Sequence, residues 1–185
     1  HLMGLEQNDR LIMALRQISN RAVPRRVQRQ RRQLQDALLD SHLVLGNSRL
    51  AIAAEADQMA GLTTLATDIG MTIVTAIAPD ERAAVLEHLP VDRVLIGDLE
   101  DLEINSRERA AELIIGSGHA VATAKRLGIP IIQHGYPIWE RLGLHTQAKV
   151  GYRGSRDMLY EIANALLEHR EQNPAIAPYR SIYKQ

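Results

Sequence analysis

The sequence has 185 residues, of which 45% are apolar and 24% charged, as in an ordinary globular domain with one hydrophobic core. Lysine plus arginine and aspartate plus glutamate number 22 each, so no net charge steers the chain toward nucleic acid or an anionic membrane surface. The absence of cysteine excludes disulfides, thiolate nucleophiles and cysteine-ligated zinc or iron–sulfur clusters within this chain. The sequence contains no apolar run as long as a membrane span and no signal-peptide pattern, so a cytoplasmic protein is expected.

The first 47 residues are predicted to form a helical segment ahead of the main domain. Residues 1–3 are interpreted as a cloning remnant with a start methionine, so an excised fragment is expected. Apolar residues recur at helical spacing from residue 5, and the pattern breaks near Asn20, before Pro24. A second helix is expected from about Pro24 to Asp40.

The second helix carries many arginines and little apolar surface. The cluster comprises Arg21, Arg25, Arg26, Arg29, Arg31 and Arg32. Such a helix is expected at an edge of the fold or against another protein chain. Nucleic acid is the less favoured partner, because no aromatic residues are interleaved with the arginines and the net charge is zero. We therefore expect neither a nucleic-acid nor a membrane partner.

From residue 48 to residue 170, short apolar runs alternate with helical stretches. The runs predict strands at residues 49–54, 72–77, 93–97, 113–116 and 130–134. Helices are expected at residues 57–69, 79–89, from about 106, 117–127 and 155–169. This alternation predicts an α/β fold, a three-layer Rossmann-like domain with a mostly parallel five-stranded sheet, preceded by the N-terminal helices. An irregular, Gly-rich segment at residues 135–154 and an extended tail at residues 171–185 are also expected.

The turn at residues 116–119 is the sharpest candidate for a binding site, because ligands of open α/β sheets gather at the carboxyl ends of the strands. Its glycines permit a tight bend, and free backbone amides together with the Ser117 hydroxyl can receive an anion. However, Val121 stands where a dinucleotide fingerprint has its third glycine, and no acid follows about 20 residues on. A strand-to-helix turn capped by Ser117 is therefore the favoured interpretation.

Two histidines are expected to approach each other at the same edge of the sheet. His119 and His134 follow the fourth and fifth predicted strands. Neither has a companion carboxylate in its motif, so hydrogen-bonded structural histidines are favoured over metal ligands. The acidic stretch at residues 98–103 is interpreted as a solvated loop rather than a cation site. No catalytic or metal site is predicted, and the candidates for contact with a cofactor are Ser117, His119, His134 and Tyr136.

Five phrases of the sequence resemble one protein family. They lie at residues 32–42, 95–103, 116–119, 129–138 and 151–154. The first is similar to a helix of β-type nitrogenase subunits and their scaffold relatives, and the second to a Gly-Asp-Leu-Glu-Asp-Leu-Glu phrase of those scaffolds. The others resemble an Asn-Ser-His turn, an Ile-Pro strand followed by Gly-Phe-Pro, and a Gly-Tyr-Arg-Gly phrase. Together they identify the chain, from about Leu15 to His169, as a member of the nitrogenase component 1 family.

The resemblance implies a particular place in a larger assembly. Subunits of this family have three Rossmann-like domains and form α2β2-like heterotetramers. The scaffold members carry iron–sulfur clusters and a molybdenum–iron cofactor precursor, which matures on them. The chain would be the final domain of a β-like scaffold subunit, with the α-like (E) subunit as its partner. It would hold no cofactor itself and play no catalytic part, since the cluster cysteines lie mainly in amino-terminal portions. The arginine-rich helix and residues 135–154 are the expected contact surfaces.

The resemblance also leaves points open. His134 stands where β-type relatives usually carry an apolar residue, and the cofactor-ligating histidine of the catalytic α-type subunit is offset from it by one position. That role is therefore not transferred to His134. One alternative is the final domain of a catalytic nitrogenase β subunit or of a related tetrapyrrole reductase. Another is a stand-alone Rossmann-like module that binds a small anion or nucleotide at residues 116–119.

Overall fold

A computed structural model describes residues 1–80 and 84–173 of the chain. Its six α-helices and five strands follow in the order α1 Leu5–Ser19, α2 Arg25–Leu45, β1 Arg49–Ala53, α3 Ala56–Asp68, β2 Thr72–Ala78, β3 Leu95–Ile96, α4 Leu99–Glu108, β4 Leu113–Gly116, α5 Val121–Leu127, β5 Ile131–Gln133 and α6 Gly151–Gln172. Short 3₁₀ helices lie at Ala84–His88, Gly118–Ala120 and Leu144–Thr146. Of the helix predicted at residues 79–89, residues 79–80 are not helical, residues 81–83 lie outside the described residues and residues 84–88 form a 3₁₀ helix. Nearly all of the predicted tail also lies outside the described residues.

The five strands form one parallel sheet, as the alternation of strands and helices predicts. Their order is β3-β2-β1-β4-β5, and every neighbouring pair is parallel. The chain builds outward from β1 in one direction and then returns to place β4 on the other side of β1. The strand order therefore reverses between β1 and β4, which is where open α/β sheets form a crevice at their carboxyl ends.

Helices cover both faces of the sheet, so its central strands are buried on both sides. Along β1, Leu50 and Ile52 pack into the core beneath α2, α3 and α6, whereas Ala51 faces the core beneath α4 and α5. The residues of β4 alternate in the same way, with Ile114 on the α4–α5 side. Burial on both faces explains why these strands are continuously apolar in the sequence. The predicted three-layer Rossmann-like fold is confirmed.

The acidic stretch at residues 98–103 was predicted as a loop followed by a helix from about residue 106, and this prediction is wrong. The stretch is the amino-terminal half of α4, which ends at Glu108. The Asp98 carboxylate accepts the amide N–H of Glu100 at 2.8 Å and of Asp101 at 3.2 Å, and the Asp101 carboxylate accepts the Asp98 amide at 3.1 Å. This reciprocal capping box satisfies amides that would otherwise lack partners, and acids are favoured at the positive end of a helix.

The remaining helices differ from prediction mainly at their ends. Helix α2 runs past the predicted end at Asp40 and buries Leu34, Ala37 and Leu45 against the sheet and α6. Helix α6 begins at Gly151, so the last residues of the segment predicted to be irregular are helical. Met3, within the predicted cloning remnant, is buried against α3, where a Cβ at Gly61 would lie 2.8 Å from its sulfur.

One side-chain network joins three helices. The Arg31 guanidinium of α2 donates to both carboxylate oxygens of Asp9 in α1, at 2.8 Å from Nε to Oδ1 and 2.7 Å from Nη2 to Oδ2. The Tyr152 hydroxyl of α6 donates to Asp9 Oδ1 at 2.5 Å. Burial raises the pKa of Asp9, but the hydrogen bonds from Arg31 and Tyr152 outweigh it and hold the pKa below its ordinary value. Burial and the Asp9 carboxylate both raise the pKa of Tyr152. The network therefore fixes α1 against the other two helices.

Replacing Tyr152 by phenylalanine is expected to lower the free energy of unfolding by about 1–2 kcal/mol, because a partly buried, charge-assisted hydrogen bond is lost. Chemical denaturation followed by circular dichroism measures the change. Tyr160→Phe on the same helix is the matched control, since its hydroxyl lies 3.4 Å from Asp40 on the exposed surface. The control is expected to change stability by less than about 0.5 kcal/mol. Equal effects of the two substitutions would contradict the role assigned to the Asp9 network.

Candidate functional site

A cavity of about 290 Å³ opens at the carboxyl ends of the strands, where the strand order reverses. Four segments after strands β1, β3, β4 and β5 supply most of its wall. The lining residues are Ala53, Ala54, Glu55, Gln58, Ile77, Pro79, Gly97, Asp98, Leu99, Ser117, His119, His134, Gly135 and Tyr136. All four candidate residues named from the sequence therefore lie around one cavity. Whether they contact a ligand there stays a prediction.

The turn after β4 is built for close backbone approach. The Gly118 amide donates to the Pro137 carbonyl at 2.6 Å. A Cβ at Gly118 would lie 2.8 Å from that carbonyl oxygen and 3.1 Å from Trp139 Cε3. The predicted capping role of Ser117 is not observed, because its side chain makes no capping hydrogen bond. This geometry commits the Gly118 amide to the chain after β5, so it is not free to receive an anion.

The two histidines occupy different environments on the same cavity. His119 is exposed, and its ring meets Trp139 edge to face with 4.9 Å between ring centroids and 82° between planes. His134 is partly buried, and its backbone amide donates to the Gly116 carbonyl at 2.8 Å. Among the described residues, buried His134 Nδ1 has no hydrogen-bond partner. The site thus contains one imidazole nitrogen whose polar contact the described chain does not supply.

Burial lowers the pKa of His134 below its ordinary value of 6.5, and the positive charge of Lys149 lowers it further, while Glu161 partly opposes the shift. The imidazole is therefore neutral at pH 7, the state in which it can accept a hydrogen bond or bind a metal ion. Because both charged residues lie far from His134 in the sequence, inspection of the local motif does not indicate them.

Glu161 of α6 also holds the segment that follows β5. Its carboxylate accepts from Lys149 Nζ at 2.5 Å and from Arg141 Nη1 at 2.9 Å. Nearer the strand, the buried side-chain amide of Gln133 donates to Glu140 Oε2 at 3.0 Å, and its own Oε1 has no partner among the described residues. The sequence analysis missed Gln133. A polar amide at the end of an otherwise apolar strand is the sequence signal that could have indicated Gln133.

The described ranges of the chain are residues 1–80 and 84–173. Within them, no group of three or more histidine, aspartate or glutamate side chains is arranged to hold a metal ion. No helix there combines the length and the apolar character that a membrane span requires.

The low pKa of His134 predicts a pH dependence of stability. The unfolded histidine takes up a proton near its ordinary pKa of 6.5, whereas the folded one stays neutral to lower pH. The free energy of unfolding should therefore fall as pH drops below about 6.5, with a slope of at most roughly 1.4 kcal/mol per pH unit. His134→Gln should flatten this part of the profile, measured by denaturation between pH 7.5 and 5. The exposed His145→Gln should keep the wild-type slope. A His134→Gln profile parallel to wild type would contradict the assignment.

The close approach at Gly118 predicts that Gly118→Ala destabilises the protein by about 1–3 kcal/mol, because the new methyl group forces the Pro137 carbonyl and Trp139 apart. Ser117→Ala at the neighbouring position is the control, and it should change stability by less than about 0.5 kcal/mol. Thermal unfolding of both variants measures the difference. A Gly118→Ala variant as stable as wild type would show that the two segments are not held in contact.

Comparison with known proteins places the chain among relatives of one kind. Residues 1–167 match the family described as "Nitrogenase component 1 type Oxidoreductase". The chain is 41% identical over its whole length to the nitrogenase iron-molybdenum cofactor biosynthesis protein NifN of Klebsiella pneumoniae, of which it covers 39%. It is 40% identical over 97% of its length to NifN of Bradyrhizobium diazoefficiens, of which it covers 38%. NifN of Nostoc sp. is 42% identical over 92% of the chain, which covers 38% of that protein.

A solved structure shares the fold. The chain superimposes on nitrogenase Cp1 with a TM-score of 0.89 at 22% sequence identity, covering 98% of this chain and 42% of that one. The sequence thus spans about two-fifths of the length of the relatives and of the solved structure that it matches.

Proposed function

Because the chain belongs to the nitrogenase component 1 type oxidoreductase family, we propose that it is a domain of a scaffold subunit on which the iron–molybdenum cofactor is assembled. It contributes shape and subunit contacts rather than a catalytic group. The observation that carries this proposal is an identity of about 40% along nearly the entire chain to relatives named for cofactor biosynthesis. The nitrogenase structure, at 22% identity, supports the fold alone, so the alternative of a catalytic β subunit is less favoured.

We further propose a place for this chain within a longer subunit. Residues 48–170 would be its final Rossmann-like domain, residues 1–47 a helical segment that precedes this domain, and residues 171–185 a tail. The partner would be the α-like (E) subunit in an α2β2-like heterotetramer. The cofactor precursor is the cargo of that assembly, and iron–sulfur clusters would be held by other portions of it.

The residues at the strand ends are better suited to forming a structural surface of the assembly than to binding a metal cluster. His134 offers one neutral imidazole nitrogen, and Tyr136 and His119 lie exposed on the same cavity. A bound cluster requires several ligand atoms, and the described residues contain neither a thiolate nor a group of three metal-binding side chains. We therefore propose that Ser117, His119, His134 and Tyr136 at most contact the cofactor precursor. The fold and the subunit contacts do not depend on that contact.

The segment after β5 is a suitable subunit-contact surface. It exposes four large apolar side chains, Tyr136 at 76%, Trp139 at 62%, Leu142 at 101% and Val150 at 55%. Tyrosine and tryptophan side chains of this type supply much of the binding energy when a partner buries them. Glu161 holds the segment through Arg141 and Lys149, so little ordering remains to be done on binding. The arginine-rich α2 is the second proposed contact surface.

The test mixes the chain with a folded α-like (E) subunit and measures complex formation by size-exclusion chromatography and calorimetry. Wild type is expected to co-elute, and Leu142→Asp should weaken binding by about tenfold or more, because burying an unpaired charge in an interface is costly. The control is Ile18→Asp on α1, outside both proposed contact surfaces, where the replaced side chain is 83% exposed.

Both side chains are exposed in the folded chain, so neither substitution should affect folding. A folded E subunit that does not bind wild type would contradict the proposed partnership. Binding of Leu142→Asp at wild-type strength would instead remove the segment after β5 from the interface and leave the partnership standing.

A further inference from the structure

A second concavity lies where α2 and α6 run side by side, away from the strand ends. Hydrogen bonds join Gln33 to Arg156 and, further along both helices, Asp40 to Tyr160, so the two helices run in the same direction. Their amino-terminal portions enclose a volume of about 540 Å³. Five arginines line it, namely Arg25, Arg26, Arg29, Arg153 and Arg156. We call this concavity the arginine pocket.

The arginine pocket carries an uncompensated positive charge. Asp157 is the only acid that forms an ion pair with its arginines among the described residues, at 2.5 Å from Arg156 and 3.7 Å from Arg153. Five guanidinium groups against one carboxylate leave a surplus of four positive charges. Since the whole sequence has a net charge of zero, the rest of the chain carries the compensating negative surplus. Concentrating a surplus in one concave volume costs repulsion that a bound anion relieves.

The geometry favours a small ligand with several anionic groups. Arg25 and Arg29 are one helical turn apart on α2, and Arg153 and Arg156 are so placed on α6, so guanidinium groups reach the pocket from two walls. Arg156 is held in place by Gln33 at 3.1 Å and by Asp157. A planar guanidinium binds phosphate or carboxylate through two parallel hydrogen bonds, which gives it specificity as well as charge. The volume is within the range of small-molecule sites.

We propose that the arginine pocket binds a small polyanion with two or more phosphate or carboxylate groups. Nucleic acid is disfavoured because no aromatic side chain lines the pocket on which a base can stack. The site is separate from the cavity at the strand ends, and a small-anion ligand is distinct from the subunit contact proposed for α2. Because binding is measured on this chain without a partner subunit, failure of this proposal and failure of the subunit proposal are distinguishable.

The test titrates the 185-residue chain with inorganic pyrophosphate and, separately, with citrate, using calorimetry at about 0.15 M salt, where weak surface attraction is screened. One molecule per chain is expected to bind, with the tighter of the two probes identifying phosphate or carboxylate as the preferred group. Arg29→Ala and Arg153→Ala should each weaken binding by about tenfold or more. Arg29→Lys should fall between them and wild type, because it keeps the charge but loses the planar fork.

Arg93→Ala is the matched control, an exposed arginine on the loop before β3 that should leave binding unchanged. Thermal unfolding verifies that each variant is folded, and Arg25→Ala replaces any variant that is not. Three results would overturn the proposal. These are no binding of either probe, equal weakening by Arg93→Ala, and binding of a polyglutamate peptide but of neither small anion, which would assign the pocket to an acidic protein segment.

Discussion

Parallel pairing of β1 with β2 on one side and β4 on the other governs the geometry of the whole molecule. Because all five strands point the same way, their carboxyl ends share one edge of the sheet. The reversal of strand order beside β1 opens a cavity at that edge. The pairing buries β1 on both faces, which requires two helical layers and explains the aliphatic composition of the strands. A substitution that turned β1 out of register would therefore affect the core and the candidate site together.

The strand ends carry one neutral histidine and a backbone amide that already has a partner. His134 is neutral because burial and Lys149 disfavour its protonated form, and the described residues contain no group of three or more side chains that could hold a metal ion. The glycine-rich turn at residues 116–119 suggested an anion site in the sequence, but the Gly118 amide donates its hydrogen bond to the Pro137 carbonyl. The segment after β5 is held by Glu161 and presents its apolar side chains outward, as the proposed scaffold role requires.

Two surfaces of opposite chemistry therefore lie on one domain. The segment after β5 is apolar and aromatic, suited to burial against another protein. The arginine pocket is charged and concave, suited to an anion. The Asp9 network fixes α1 against α2 and α6, and these are the helices whose arginines line the pocket. By bridging α2 and α6, the network holds the walls of the arginine pocket in place, and Gln33 and Asp157 hold the Arg156 guanidinium.

Local patterns were sufficient to predict most of the elements, the parallel sheet and the edge where the candidate residues gather, because runs of β-branched residues and turn glycines act within a few positions. The absence of cysteine likewise excluded thiolate clusters from this chain. The start of α4 was missed although its capping box is local, because the acids were interpreted by charge rather than by spacing. Contacts between segments that are distant in the sequence could not be predicted from local patterns. Three such relationships depend on packing rather than on sequence spacing, because they arise only when distant segments fold onto one sheet. They are the effect of Lys149 and Glu161 on the pKa of His134, the contact of Gly118 with Pro137, and the presence of Arg29 and Arg153 in one pocket.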